Sequence, residues 1–251
     1  MTLRRLLPAL LVVAAAPLAA QAPANGRQLL TAMHDRYAAG WYRTLTFVQR
    51  STWYKPDGTR ARIQTWYEAM SVPGKLRIDF DTGPGRNGAI FRSDSTYSFA
   101  DDTLARAGAQ RNLLLVLGFD VYAQPVAHTA RVLQEEGVDL SKLHRDRFDG
   151  RPVYVVGALP GDTTSRQFWV DADRLLFVRL IDPARDRSGP QDVRFNKYVP
   201  RGGGWLAEQV QVLTGGRLVY EEDYSNVTVN AALDPLLWEP RSWATVKQWW
   251  K

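Results

Sequence analysis

Apolar and polar side chains alternate with period two through most of this chain, and turn signals interrupt the alternation at close intervals. In TLTFVQRSTWY (Thr44–Tyr54), Leu45, Phe47, Gln49, Ser51 and Trp53 share one face and Thr46, Val48, Arg50 and Thr52 the other, because successive strand side chains point to opposite sides. Asp57-Gly58 reads as a hairpin turn into TRARIQTWYEAM. In GKLRIDF, Leu76, Ile78 and Phe80 fall on one side, with Arg77 and Asp79 on the other. AIFRSDSTYSFADDTL continues the pattern, with Ile90, Tyr97 and Phe99 pointing inward. Later strands are expected on both sides of turns at Asp149-Gly150, Asp171–Arg174, Gly202–Gly204 and Gly215-Gly216. Many short strands with closely spaced turns predict a mainly β (α+β) chain whose antiparallel sheet meanders, curls or closes.

Two regions interrupt the strands. Asn25 is placed to cap a helix carrying Leu29, Leu30, Met33 and Tyr37 and ending near Gly40. The mid-chain segment Ala109–Gly137 contains a short, very apolar helix around Leu113–Leu117 and room for a second after Pro125. No linker, internal repeat or low-complexity stretch divides the chain, so residues 23–251 read as one domain.

Residues 1–22 read as a secretory signal peptide. Arg4 and Arg5 precede the apolar run Leu6–Leu18, and small residues follow, with cleavage expected after Ala20 or Ala22. There is no cysteine, hence no disulfide and no thiol for lipid attachment. Of the formal charge of +6, Arg4 and Arg5 supply two, and the remaining charges of both signs are interspersed. That is an ordinary solvated surface rather than a nucleic-acid footprint.

FDTGPGRNGAIFR contains G-x-G-x-x-G at Gly83, Gly85 and Gly88. A phosphate loop needs the third glycine to open a helix whose N–H groups hold the anion. Here Gly88 leads into strand-forming residues and Pro84 removes an N–H, so the segment reads as a surface loop between antiparallel strands. His34, His128 and His144 are far apart and match no metal-binding spacing. Asp171-x-Asp173 begins like a calcium loop, but Leu175 and Leu176 occupy ligand positions, which favours a plain turn. In EED, Glu221 and Asp223 would share a strand face. No catalytic residue, metal or cofactor is expected from this inventory.

The unusual feature is aromatic: 9 Trp, 10 Tyr and 9 Phe, many of them on strands. A helix apolar on all sides must be covered on more than one side. Laid across the mouth of a curled sheet, the Leu113–Leu117 helix would enclose an apolar cavity.

These segments together resemble the LolA/LolB-like family of periplasmic outer-membrane lipoprotein carrier and sorting proteins. The resemblance rests on the first helix, the hairpin LTFVQRSTWYKPDG, the segment VPGKLRIDF, the pair FDGRPVYVV and QFWVDADRLLFVRL, and the closing YSNVTVNAALDPLLWEP. It implies a strongly curved, incomplete antiparallel β-barrel with an α-helical lid, binding lipid or lipoprotein acyl chains on its concave face. Phe47, Trp53, Leu76, Ile78, Phe91 and Phe99 are then expected to line the cavity, with Leu113, Leu117 and Phe119 in the lid. Val72 stands where the family's carrier has an arginine that latches the lid, and Arg77 is the nearest substitute. The implied role is a monomeric periplasmic carrier, receiving cargo from an inner-membrane donor and delivering it to an outer-membrane acceptor. An envelope-stress sensor that binds a protein partner on the same fold is the alternative. An enzyme would require polar residues converging on the concave face.

Overall fold

The computed structural model describes residues 22–82, 85–92, 94–183 and 189–251; the expected signal peptide, up to residue 21, lies outside them. The first helix, α1 (Gly26–Tyr37), starts where Asn25 Oδ1 accepts the Gln28 N–H at 3.0 Å. It buries Leu29, Leu30, Met33 and Tyr37.

Six strands follow: β1 (Thr44–Tyr54), β2 (Arg60–Ser71), β3 (Lys75–Phe80), β4 (Asn87–Arg92), β5 (Ser95–Ala100) and β6 (Thr103–Ala109). The chain then runs through α2 (Leu113–Gly118), a 3-10 turn (Asp120–Tyr122) and α3 (Val126–Glu135). Seven more strands complete the sheet: β7 (Leu143–Phe148), β8 (Arg151–Val156), β9 (Gln167–Asp171), β10 (Phe177–Asp182), β11 (Gln191–Arg201), β12 (Gly204–Thr214) and β13 (Arg217–Val229). All neighbours are antiparallel, in the order β6-β5-β4-β3-β2-β1-β13-β12-β11-β10-β9-β8-β7. The last strand thus returns to pair with the first, while β6 and β7 end the sheet without pairing to each other. The chain crosses from one edge to the other through α2 and α3.

Strand turns follow the expected chemistry. Gly58 takes φ +81° between β1 and β2, where Asp57 Oδ1 accepts the Thr59 N–H at 2.9 Å. β3 and β4 pair antiparallel from Phe80 opposite Asn87, so the glycine-rich segment joins neighbouring strands and opens no helix. Gly83 and Pro84 lie outside the described residues. Gly88, however, belongs to β4 rather than to the loop. A Cβ there would lie 2.0 Å from the Ile78 carbonyl oxygen and 2.8 Å from the Trp243 ring.

The larger surprise is the other face of β2–β5. After β13 the chain runs back across it through 3-10 turns at Pro235–Trp238 and Pro240–Ser242. Trp243 is 1% exposed, stacks on Phe99 at 4.2 Å and packs with Ile90, and Trp238 packs with Ala69. The sheet around Ala69, Arg77 and Ile90 is therefore covered on this face as well. Arg77 and Asp79, which alternate with Leu76, Ile78 and Phe80, are 0% and 2% exposed. Arg77 Nε and Nη2 donate to the two Asp79 oxygens at 2.6 and 2.7 Å, and the guanidinium lies 4.0 Å from the Trp243 ring centre. A bidentate pair shielded by an aromatic ring compensates the cost of burying both charges.

Candidate functional site

The lid begins with Asn112, whose Oδ1 accepts the N–H groups of Leu114 and Leu115 at 3.0 and 3.2 Å and starts α2 at a defined rotation. The following 3-10 turn is pinned to β10 by the Phe177 N–H, which donates to the Tyr122 hydroxyl at 2.9 Å. Asp120, 3% exposed, accepts the Gly74 N–H at 2.9 Å in the turn between β2 and β3. Burial pushes its carboxyl up to about 7. Beside the lid, Arg111 joins Asp94 in the β4–β5 turn to Glu135 in α3, each at 2.7 Å.

Asp120 corrects the expectation for Arg77. The lid touches the Val72-Pro73-Gly74 turn through a carboxylate carried by the lid itself. Arg77 points to the opposite face of the sheet, under Trp243, and cannot reach the lid.

Beneath α2 lies a cavity of about 80 Å³ between the lid and strands β1, β2, β3, β11 and β13. Of the expected wall, Phe47, Leu76 and Ile78 line it, and Phe119 lines it from the lid. Trp53 lies on the same sheet face but outside the cavity, packed against Trp66 at 5.8 Å and Tyr220 at 4.9 Å. Phe91 sits with Leu113 in a separate surface hollow facing Leu180 and Val193. Phe99 is on the wrong face: one residue's parity along β5 turns it towards Trp243. The lid side chains that face the cavity are Leu114 and Leu115 rather than Leu113 and Leu117, and Leu117 is fully buried in the core. A helix apolar on every side carries no mark of which side faces the space.

The lining also contains a polar group that alternation by itself did not single out. Glu68 lies opposite Phe47 on β1 and Ile78 on β3, and is 5% exposed. It takes no side-chain hydrogen bond among the described residues, and burial, with the nearby charge of Glu222, holds its carboxyl well above the usual range. Glu222, half-buried, accepts a short hydrogen bond from the Tyr224 hydroxyl. Burial raises its carboxyl too, against hydrogen bonds from Tyr224, Tyr220 and Gln49. Gln49 Nε2 also donates to Ser51 and to the Tyr220 hydroxyl, at 2.8 and 2.9 Å. The EED segment thus sends Glu222 inward. Glu221 and Asp223 accept from Gln211 and Gln209 at 2.8 and 3.1 Å on the opposite face. The signal was present in the sequence: Trp66-x-Glu68-x-Met70 and Tyr220-x-Glu222-x-Tyr224 carry a glutamate in phase with apolar neighbours. Polar residues do converge on the concave face. Among the described residues, no group of three or more His, Cys, Asp or Glu is placed to hold a metal.

No family model matches the sequence, and no curated protein matches it either. Solved structures do match its fold. A domain described as an outer membrane lipoprotein-sorting protein, from Vibrio parahaemolyticus, superposes with a TM-score of 0.58 at 11% identity, covering 87% of this chain and 98% of that one. A DUF1329 family protein from Desulfovibrio piger gives 0.55 at 14% identity, over 87% of this chain and 97% of that one. A LolA superfamily protein from Nitrosomonas europaea gives 0.53 at 11% identity, over 83% and 96%. With its edge strands unpaired to each other and α2 laid over the sheet, the chain has the LolA-like fold, an incomplete curved antiparallel barrel with a helical lid.

Proposed function

We propose that residues 23–251 form one domain that acts in the periplasm as a monomer, after removal of residues 1–22, and binds lipid or lipoprotein acyl chains between α2 and the sheet. The role is outer-membrane lipoprotein sorting or carriage between a donor and an acceptor protein, with no bond made or broken. The observation that carries this reading is α2: a short helix with apolar side chains on all sides, laid over an aromatic-walled cavity beside an unpaired seam. The description of the Vibrio domain supports the direction of the reading.

The free space is far smaller than an acyl chain, so cargo enters by displacing Leu114, Leu115 and Phe119. Each methylene buried is worth ~0.8 kcal/mol, and the packing that the displaced lid gives up offsets much of that gain. A near-balanced exchange suits a protein that must release what it binds.

Mass spectrometry of organic extracts from protein purified without detergent tests the reading, together with titration of a fluorescent acyl probe. Copurified acyl lipids and saturable probe binding are expected. Extracts free of acyl chains, with no probe binding, would refute it. A partner-binding module, such as an envelope-stress sensor, is the second reading. It is favoured by the small free volume and by β6, an edge strand exposed along its whole length and suited to pairing with an added strand.

A further inference from the structure

Glu68 and Glu222 line the cavity together with Gln49 and Tyr224. None of the side chains lining the cavity is Lys, Arg or His. Glu222 is held by its tyrosine, whereas Glu68 is nine-tenths buried, borders the free space and has no hydrogen-bond partner among the described residues. A buried carboxyl left unpaired costs free energy. The chain places this carboxyl at the cavity edge between Phe47 and Ile78. A molecule that donated hydrogen bonds to Glu68 would remove the cost.

We propose that this end of the cavity is a head-group site for an amphiphile bearing a protonated amine: the ammonium donates to Glu68 and Glu222, and the apolar chain runs beneath α2 between Leu114, Leu115 and Phe119. The proposal rests on the acyl-binding reading, because the lid must admit a chain. It adds a chemical preference that the apolar walls alone do not supply. An anionic head would meet two carboxyls and no cation. A hydroxyl can donate one hydrogen bond without charge. An ammonium donates three and balances the charge of one carboxylate while the other carboxyl keeps its proton. The chain is cationic, at +6 with Arg4 and Arg5 supplying two of those charges, so the overall charge works against such a preference.

Isothermal titration calorimetry with decylamine, decanol and decanoate, each below its micelle concentration and near neutral pH, tests this on the full mature chain. The amine is expected to bind about ten- to a hundredfold more tightly than the alcohol, the range of a charge-assisted hydrogen bond, and decanoate most weakly. Glu68→Gln is expected to remove most of the amine's advantage over decanol. It relieves a buried unpaired carboxyl, so it should melt no lower than wild type, and melting curves check this. If decanol binds but decylamine binds no better, the head-group proposal is wrong and the acyl-binding reading stands. If an amine preference persists in Glu68→Gln and in Glu68→Gln/Glu222→Gln, it arises elsewhere and the proposed site is wrong. If none of the three ligands binds, both proposals fail.

Discussion

Asp120 makes the lid sensitive to pH, and Asp120→Asn isolates that effect. The side chain is buried and its carboxyl rises from the ordinary 3.8 to about 7, with burial the cause and the Gly74 N–H working the other way. A raised carboxyl means that the folded state holds a proton which the unfolded chain has already released. The contribution is therefore fully present below about pH 4. It is lost as pH rises towards about 7 and is gone above that value. At about 1.4 kcal/mol per pH unit, the rise from 3.8 to about 7 amounts to about 4 kcal/mol. Asn keeps an oxygen to accept the Gly74 N–H and has no charge to bury. Urea melts of wild type and Asp120→Asn across this range should therefore diverge. The variant should be similar in stability near pH 4 and more stable by up to about 4 kcal/mol near pH 8. Glu68 and Glu222 shift in the same direction and Asp94, Asp171 and Asp192 in the opposite one, but these contributions cancel in the difference between the two proteins. Hydrogen exchange at Leu114–Tyr122 should report the same cost locally, with wild-type amides opening more readily as pH rises and those of the variant less so. A difference in stability that does not change with pH would refute the argument, because it would mean that Asp120 stays solvated or already ionised in the fold.

Two further outcomes follow from the packing. Asp79→Asn leaves Arg77 buried beneath Trp243 without its counter-charge and should cost about 3–5 kcal/mol in denaturant melts; a loss below about 1 kcal/mol, the range of an exposed pair, would mean that water reaches the site. Leu117→Ala empties a filled core position and should cost about 2–5 kcal/mol. Leu114→Ala, at the cavity edge, should cost less while weakening an acyl probe, and equal stability losses with unchanged probe binding would argue that α2 is plain core.

Local order was legible along the chain. Period-two alternation and the Asp-Gly and Gly-Gly turns located the strands, Asn25 located the start of α1, and the leucine run located α2, because each of these depends on near neighbours. What the tertiary structure decided was which faces are interior. Alternation separates the two sides of a strand but does not say what covers either one. At the β2–β3 pair, Met70 and Leu76 pack in the main core while Ala69 and Arg77 lie under the returning C-terminal segment. Alternation set Arg77 and Asp79 opposite Leu76 and Ile78 without showing that they are buried against each other, and Phe99 read as cavity wall although it stacks on Trp243. The same limit hid Glu68 and Glu222. Their spacing placed them among apolar neighbours, but their ability to share one site depends on β2 and β13 flanking β1, and that pairing brings together residues more than half the chain apart.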